Sequence, residues 1–336
     1  QMITIVIFSI FIMEKFSFYK QKNVLVCGGN GFIGSHLVNS LIQSEANVTV
    51  VGKSLKSKNS EKSDIQYISI NLLELNQCKK IVKDFDCVFN AAGVSGGLDF
   101  RLKNSSKLFL ENSLINLNLL LSLADSNVER YQFLSSVAVY PSNAKNPLSE
   151  VEPVNFKHTK TDFGYSEAKI LGEIHCKSFA EEFGLNISVI RPDNTFGPND
   201  NFLRASPYVI PSLIKKILQS DTSIEVWGSG KQIRTFVFVK DLVQGLLLGL
   251  EKHPYPDPIN ISSNEKITIK SLTELIIRLC KKNLTIKFDT TKPEGSLERT
   301  LKISKAEELL GFSPKWNLSD GLVATLDWYK NYFGHA

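Results

Sequence analysis

The chain has 336 residues, of which 43% are hydrophobic and 22% are charged, and its formal net charge is +5. This composition is typical of a globular protein and excludes a low-complexity or intrinsically disordered chain. The sequence contains no run of basic residues interleaved with aromatic ones, so a nucleic-acid partner is not predicted. A chain of this length is expected to form one large domain or two interleaved ones.

The cysteines and histidines predict neither disulfide bonds nor a metal site. There are five cysteines, an odd number, and they are widely scattered without a C-x-x-C pair. This spacing predicts reduced thiols and a cytoplasmic location. The five histidines are equally dispersed, so no metal site is expected.

Residues 1–22 are predicted to form an N-terminal extension. Its apolar segment 2–13, MITIVIFSIFIM, has 12 residues. That is shorter than the roughly 20 residues needed to span a bilayer, so no stable membrane insertion is expected. We expect translation to start naturally at Met13, which begins a polar lead-in to the first strand.

The first half of the chain alternates between strand-like and helix-like patterns. The apolar run 24–27 predicts a strand that is buried on both faces of a parallel sheet. This alternation with short connections predicts a Rossmann-type, doubly wound parallel α/β sheet. Further strands are predicted within 64–74, 86–93, 130–140 and 186–197, and longer helices over about 104–126 and 164–183.

The second half has a different sequence pattern, in which proline-containing loops separate shorter predicted elements. One helical pattern, KDLVQGLLLGLEK, is expected to return to the sheet, and a last helix is predicted over about 318–333. The predicted division is a cofactor domain of residues 23–190 and 232–251. Residues 191–231 and 252–336 are predicted to form a smaller mixed α/β substrate-binding lobe.

A glycine turn follows the first strand. Gly28, Gly31 and Gly34 form G-x-x-G-x-x-G between a strand and a helix, the context that a dinucleotide-binding turn requires. The glycines allow a tight turn, a close approach to a pyrophosphate and close packing of helix on strand. Phe32 and Ile33 begin the helix, whose N-terminus favours phosphate groups.

The residues after the second strand favour NADP(H) over NAD. An NAD site usually has Asp or Glu there, whereas this chain has Lys53 and Ser54, which are expected to hold a 2′-phosphate. Asn71 and Leu72 end the third strand and are expected beside the adenine. Carboxyl ends of parallel strands face the ligand, so cofactor contacts are also predicted for Ala91, Ala92 and Gly93.

The segment GYSEAKILGE contains Tyr165 and Lys169. Residues four apart lie on one face of a helix, so the ammonium group is expected near the phenol. A nearby positive charge favours a phenolate. Tyr165 is therefore predicted to exchange a proton with a sugar hydroxyl or ketone, and both residues are also expected to contact the cofactor.

Several motifs resemble the extended short-chain dehydrogenase/reductase family of nucleotide-sugar enzymes, also called the epimerase/dehydratase family. The resemblance extends from about residue 23 to the C-terminus. It implies an NAD(P)-dependent oxidoreductase in which Ser136 binds the reacting oxygen and Val137 lies beside it, with cofactor contacts from Asn112, Pro192 and Asn194. The motifs are GGNGFIG, NAAG, SSVAVYP, YSEAK, RPDNTFGP, WGSGKQIRTFVFVKDL and SKAEELLGFSP.

Within that family the chain resembles the GDP-L-fucose synthases. The shared pattern covers RPDNTFGPNDNFLRASPYVIPSLIKKI, VWGSGKQIRTF and DTTKPEGSLERTL. It implies a homodimer built from the two long helices, and a guanidinium such as that of Arg234 suits a diphosphate. Substrate contacts are implied for Asn194, Val209, Lys216, Trp227, Arg234 and Lys292.

Two positions depart from the synthase pattern. Those synthases use a cysteine and a histidine to epimerise C3 and C5, and the matching residues here are Ala138 and Tyr208. Alanine can neither donate nor accept a proton. We therefore expect NADPH-dependent reduction of the C4 ketone of a nucleotide-linked 4-keto-6-deoxy sugar, with GDP as the expected nucleotide and without C3/C5 epimerisation.

Other functions remain open at this stage. A nucleotide-sugar 4-epimerase with tightly bound NAD would use the same side chains, although the second strand lacks the expected acidic residue. A bifunctional GDP-L-fucose synthase is a further alternative. A 4,6-dehydratase has an Asp-Glu pair where Val137 and Ala138 lie. A non-catalytic NADP-binding regulator would not need Ser136, Tyr165 and Lys169.

Overall fold

The structure is a computed structural model that describes residues 15–53, 65–154, 163–203, 208–292 and 295–334. The predictions for the apolar segment 2–13, for Met13 and for Ser54 lie outside these residues. None of the helices in the described ranges has both the length and the apolar character needed to cross a membrane. The same ranges contain no cluster of three or more His, Cys, Asp or Glu side chains suited to a metal ion.

Helices and strands alternate through most of the chain. The strands are β1 (Asn23–Cys27), β2 (Asn47–Gly52), β3 (Gln66–Ser69), β4 (Cys87–Asn90), β5 (Arg130–Leu134), β6 (Ile187–Pro192), β7 (Asn194–Phe196), β8 (Ser223–Trp227), β9 (Ile233–Arg234), β10 (Phe236–Phe238), β11 (Ile259–Ile261), β12 (Ile267–Thr268), β13 (Thr285–Asp289) and β14 (Glu298–Arg299). The helices are α1 (Phe32–Gln43), α2 (Leu75–Ile81), α3 (Leu98–Lys103), α4 (Ser105–Leu123), α5 (Tyr165–Phe183), α6 (Val209–Gln219), α7 (Val239–Lys252), α8 (Ile269–Leu279), α9 (Ser304–Leu310) and α10 (Leu318–Phe333).

Seven parallel strands form the large sheet, in the order β11-β6-β5-β4-β1-β2-β3. This topology confirms the predicted doubly wound α/β fold. The strand order reverses between β1 and β4. A crevice is expected at such a point beyond the carboxyl ends of the strands, and ligands of these sheets bind there.

The alternation of side chains along β1 explains how both faces of the sheet are covered. Val24 and Val26 are buried in the apolar cluster that includes residues of α1 and α7. Leu25 and Cys27 are buried in the opposite cluster, which includes residues of α4 and α5. Successive residues of a strand point to opposite faces. A fully apolar strand of this kind therefore requires helices on both faces.

The smaller lobe has its own apolar cluster, which contains residues of α6, α8 and α10. Its strands form small sheets, in which β7 pairs with β10, β8 with β13, and β9 with both β12 and β14. Helix α7 packs on β6 and on α1 of the large sheet. Strand β11 also joins the large sheet, although its residues fall within the predicted lobe 252–336. The exact division into domains stays a prediction.

Candidate active site

A cavity of about 420 Å³ lies beyond the carboxyl ends of the central strands. Its walls are contributed by the glycine turn, the ends of β4 and β5, α3, the first turn of α5, the β6–β7 connection and the start of α6. Both the large sheet and the smaller lobe therefore line one space. A ligand in this cavity would contact the dinucleotide-binding side and the lobe at the same time.

The glycine turn is shaped for close backbone packing. Gly28 has φ of +79°, and a Cβ atom there would lie 2.8 Å from Ala92 Cα. A Cβ atom on Gly34 would collide with the carbonyl oxygen of Gly28 and lie 2.8 Å from Gly29 Cα. Gly31 is the N-cap of α1 and lines the cavity. The backbone N–H groups at the start of α1 therefore have the arrangement that suits the pyrophosphate of a dinucleotide.

Asn112 fixes the loop that follows β4. Its side-chain oxygen accepts a hydrogen bond from Val94 N at 2.9 Å. Its amide nitrogen donates to Val94 O at 3.0 Å and to Leu108 O at 2.7 Å. A Cβ atom on Gly93 would lie 2.7 Å from the Asn112 oxygen. Asn112 therefore positions the backbone of the cavity wall, in addition to lining it.

Tyr165 is the first residue of α5, and Lys169 lies one turn later. The Lys169 Nζ atom lies 5.8 Å from the centroid of the Tyr165 ring and donates a hydrogen bond to Leu134 O at 2.6 Å. Lys169 is 7% exposed, and this burial lowers its pKa to about 8 because a buried ammonium group loses its hydration. The predicted proximity of the two side chains is thus present in the structure.

Ser136 follows β5 and has an extended backbone. Its Oγ atom accepts a hydrogen bond from Ala138 N at 3.1 Å and caps the short 3₁₀-helix Val137–Val139. A serine hydroxyl can accept one hydrogen bond and still donate its own proton. Ser136, Tyr165 and Lys169 all line the cavity, so the structure brings the three predicted catalytic side chains to one space.

A buried ion pair lies behind the part of the cavity wall that holds Ser136 and Lys169. Arg191 on β6 donates to both carboxylate oxygens of Glu173 on α5, at 2.9 and 2.6 Å. Glu173 also accepts a hydrogen bond from Ser135. On the other side, Arg191 donates to the Tyr140 hydroxyl at 3.0 Å, and Tyr140 donates to Asn260 at 2.8 Å. The network joins the end of β5 to α5, β6 and β11.

Asp193 organises the β6–β7 connection. The buried carboxylate accepts hydrogen bonds from Ser262 Oγ at 2.6 Å, from Thr235 Oγ1, and from the backbone and side-chain nitrogens of Asn194 at 2.7 and 2.9 Å. Burial raises the pKa of Asp193, and these hydrogen bonds oppose the rise. Asn194 also donates to Thr235 O at 3.3 Å, so it is held in place at the cavity wall.

Most of the predicted cofactor residues line the cavity. They are Gly31, Phe32, Ile33, Gly34, Ala91, Ala92, Gly93, Asn112, Tyr165, Lys169, Pro192 and Asn194. Four others lie outside its lining: Gly28, Lys53, Asn71 and Leu72. Gly28 packs against the backbone of Ala91 and Ala92. Lys53 follows β2 and is exposed, whereas Leu72 is buried. The cofactor contacts of all these residues stay predictions.

The predicted substrate residues fall into two groups. Ser136, Val137, Asn194 and Val209 line the cavity, whereas Lys216, Trp227, Arg234 and Lys292 do not. Lys216 donates to Glu225 O at 3.0 Å, and Lys292 Nζ lies 5.8 Å from the Trp227 ring centroid. This second group lies on α6 and on or beside the small sheets of the lobe, and its contact with a substrate stays a prediction.

The structure adds residues that the sequence reasoning missed. Arg299 lines the cavity, and its strand β14 places it beside Arg234 of β9. Arg101 on α3 also lines the cavity. Glu173 belongs to the segment that contains Tyr165, and its spacing of four residues from Lys169 is the sequence signal for its position near the site. Arg101 lies in a helix of six residues, which carries little periodic pattern.

Comparisons with known proteins show the family to which the chain is similar. A family model described as NAD dependent epimerase/dehydratase matches residues 24–262. The chain is 31% identical over 317 residues to a dTDP-4-dehydro-6-deoxy-D-allose reductase of Streptomyces sp, covering 92% of this chain and 96% of that protein. It is 27% identical over 300 residues to the GDP-L-fucose synthase of Escherichia coli (strain K12), covering 83% and 93%.

Among solved structures, the UDP-N-acetylglucosamine 4-epimerase from Methanobrevibacter ruminantium M1, in complex with UDP-N-acetylmuramic acid, superposes with a TM-score of 0.84. It is 28% identical, and the match covers 93% of this chain and 99% of that one. The family model covers well over half of the chain, and the glycine turn fits the dinucleotide that such a family uses. The protein is therefore an enzyme of the NAD dependent epimerase/dehydratase family.

Proposed function

We propose that the protein reduces the C4 ketone of a nucleotide-linked 4-keto-6-deoxy sugar with NADPH and does not epimerise C3 or C5. The observation that carries the proposal is the composition of one cavity wall. Ser136, Tyr165 and Lys169 line it together with Ala138, whose side chain cannot transfer a proton. The 31% identity to a 4-dehydro-6-deoxy-sugar reductase supports the reductase reading.

The proposal assigns a role to each residue of the cavity wall. The glycine turn, Asn112 and Asn194 would hold the cofactor, and Ser136 would orient the sugar carbonyl by donating a hydrogen bond to its oxygen. Tyr165 donates the proton to that oxygen as the alcohol forms, and Lys169 keeps a positive charge near the phenol. When bound, the reduced nicotinamide supplies a hydride. Positioning and electrostatics account for most of the catalysis in this proposal.

The substrate nucleotide is proposed to lie toward the lobe. Arg234 and Lys292 supply positive charge for a diphosphate, and the half-exposed Trp227 offers an aromatic surface for a base. GDP is the proposed nucleotide. The alternative is dTDP, because the relative with 31% identity is a dTDP-4-dehydro-6-deoxy-D-allose reductase. Binding of GDP and dTDP in the absence of sugar, measured by calorimetry, separates the two.

The homodimer remains part of the proposal. Helices α4 and α5 pack against each other and present partly exposed apolar side chains. Leu110 of α4 is 57% exposed and Ile174 of α5 is 49% exposed. Exposed apolar side chains on two helices that pack together support a dimer built on these two helices.

A substrate panel tests the proposed function. GDP- and dTDP-linked 4-keto-6-deoxy hexoses are incubated with the enzyme and either NADPH or NADH, and cofactor oxidation is followed with product analysis. Consumption of one NADPH per alcohol formed supports the reductase. In a separate assay without added cofactor, interconversion of nucleotide-linked hexoses that differ in configuration at C4 would instead identify a 4-epimerase. Dinucleotide binding without turnover of any panel member would favour the non-catalytic regulator.

We expect no deuterium at C3 or C5 of the product when the reaction runs in heavy water. The reason is that Ala138 replaces the side chain that would exchange the proton in the synthase pattern. Mass spectrometry and proton NMR of the product measure the incorporation. An enzyme-free sample corrects for spontaneous exchange, and the E. coli synthase is the positive control. Enzyme-dependent incorporation at either carbon would show that Tyr208 or another group still epimerises the sugar.

Replacing Lys53 with Ala is expected to raise KM for NADPH about 10-fold, the size of a charge-assisted hydrogen bond, and to leave KM for NADH unchanged. The exposed Lys53 lies directly after β2, where a 2′-phosphate is expected. Lys80→Ala on α2, another exposed lysine, is the matched control. Equal changes for both cofactors would contradict the role of Lys53 in binding the 2′-phosphate.

A further inference from the structure

A guanidinium group lies against the phenol that is proposed to act as the acid. The Arg101 Cζ atom is 4.7 Å from the centroid of the Tyr165 ring and 5.8 Å from that of the Tyr208 ring. All three residues line the cavity. We propose that Arg101 is a positioning residue for Tyr165, which fixes its ring and supplies the permanent positive charge beside it. This inference rests on the proposed function.

Arg101 is held in place from behind. Its Nε atom donates a hydrogen bond to Gly96 O at 3.0 Å, which ties the guanidinium to the loop between β4 and α3. That loop is itself fixed by Asn112 through Val94. A planar guanidinium that is anchored at one edge stacks on an aromatic ring more precisely than a flexible ammonium group does. Because Arg101 is anchored in this way, its contact with the Tyr165 ring is a built feature of the cavity wall and not a chance surface contact.

Tyr208 completes the arrangement from the lobe. It is the N-cap of α6, whereas Tyr165 begins α5 and Arg101 belongs to α3. The guanidinium thus lies close to one ring from the sheet side and to one from the lobe side. It links the two walls between which the sugar is proposed to bind, and its loss is expected to affect catalysis without affecting the glycine turn.

The charges around Tyr165 differ in how they respond to pH. On α5, Lys169 lies on the same face, and burial lowers its pKa to about 8. Glu167 on the same helix accepts a hydrogen bond from Gly164 N. From α3, Arg101 keeps its charge at every working pH. As pH rises above about 8, Lys169 loses its charge and Arg101 becomes the lasting cation. Other titratable groups lining the cavity are Asp193, Asp200, Tyr208 and Arg299.

The test compares the pH dependence of reduction in wild type, Arg101→Met and Arg101→Lys. Tyr165 must be protonated to act as the acid, so a nearby cation brings the alkaline decline of kcat/KM to lower pH. Arg101→Met is expected to move this decline to higher pH and to lower kcat about 10-fold. Arg101→Lys, which keeps the charge but loses the planar guanidinium, should retain the wild-type decline with a reduced kcat.

Matched controls separate this effect from a general loss of structure. Lys103→Met removes an exposed cation from the same helix, where Lys103 pairs with Asp99 at 3.0 Å, and should leave the profile unchanged. Dinucleotide affinity and thermal unfolding are measured for every variant. Arg101→Gln, which is planar and uncharged, is measured in parallel as a second neutral variant and should follow Arg101→Met.

A second readout needs no turnover. Tyrosinate formation is followed by ultraviolet difference absorbance, and subtraction of the Tyr165→Phe titration isolates the transition of residue 165. This transition should move to higher pH in Arg101→Met and Arg101→Gln but not in Lys103→Met. Identical transitions in wild type and both neutral variants would overturn the inference. If wild type reduces none of the ketosugars, the proposed function fails, and the tyrosinate titration alone decides the role of Arg101.

Discussion

Replacing Tyr165 with Phe is expected to lower kcat for ketone reduction by about 10²- to 10⁴-fold, the usual contribution of a general acid. The substitution removes the hydroxyl and leaves the ring that Arg101 contacts. Without that hydroxyl the alkoxide that forms at C4 loses its proposed proton donor, and Ser136 alone is left to hydrogen-bond the oxygen. Steady-state kinetics with NADPH and the substrate selected by the panel measure the change.

The control for this prediction is binding. Tyr165→Phe keeps the aromatic ring and leaves the glycine turn, Asn112 and Lys169 untouched. The affinity for the dinucleotide should therefore change less than about twofold, well below the energy of one hydrogen bond. Fluorescence titration with NADPH measures it. Tyr332→Phe, which removes an exposed hydroxyl on α10, serves as the matched variant and should keep full activity. A Tyr165→Phe enzyme with a near wild-type rate would show that another group donates the proton.

Glu173→Ala is expected to lower the free energy of unfolding by about 3–5 kcal/mol, the cost of leaving one partner of a buried ion pair alone. The side chains of Arg191 and Glu173 are only 4% and 11% exposed. The substitution would leave the Arg191 guanidinium buried against Tyr140 without its carboxylate, and Ser135 without its acceptor. Urea unfolding, followed by circular dichroism, measures the difference.

Two further variants sharpen this result. Glu181→Ala breaks the exposed pair with Lys177 on the same helix and should cost no more than about 0.5 kcal/mol. The double variant Glu173→Leu/Arg191→Met removes both charges and should recover most of the lost stability. Equal destabilisation by Glu173→Ala and Glu181→Ala would refute the structural importance of the buried pair.

Local sequence patterns predicted the large sheet and its long helices. The predicted helices over 164–183 and 318–333 are α5 and α10, with matching or nearly matching ends. Strong apolar periodicity and glycine turns are local signals, so they survive in a single sequence. The i, i+4 spacing of Tyr165 and Lys169 is local as well, which is why their proximity could be predicted.

Contacts between distant elements were not predictable in the same way. Arg191 and Glu173 are on different elements, and their pairing depends on how α5 packs against β6. Arg101 reaches Tyr165 from a six-residue helix that the sequence pattern did not indicate. Strands of two residues, such as β9 and β14, are too short to show any period. The sequence therefore predicts that a smaller lobe exists but not how its short strands pair.

The most direct test of the proposed chemistry is the fate of the transferred hydrogen. NADPH that carries deuterium at both C4 positions of the nicotinamide is incubated with the enzyme and a nucleotide-linked 4-keto-6-deoxy hexose, and the product is examined by NMR. The account predicts one deuterium at C4 of the sugar for each NADPH oxidised. An epimerised product without deuterium, formed while the NADPH remains unconsumed, would contradict it.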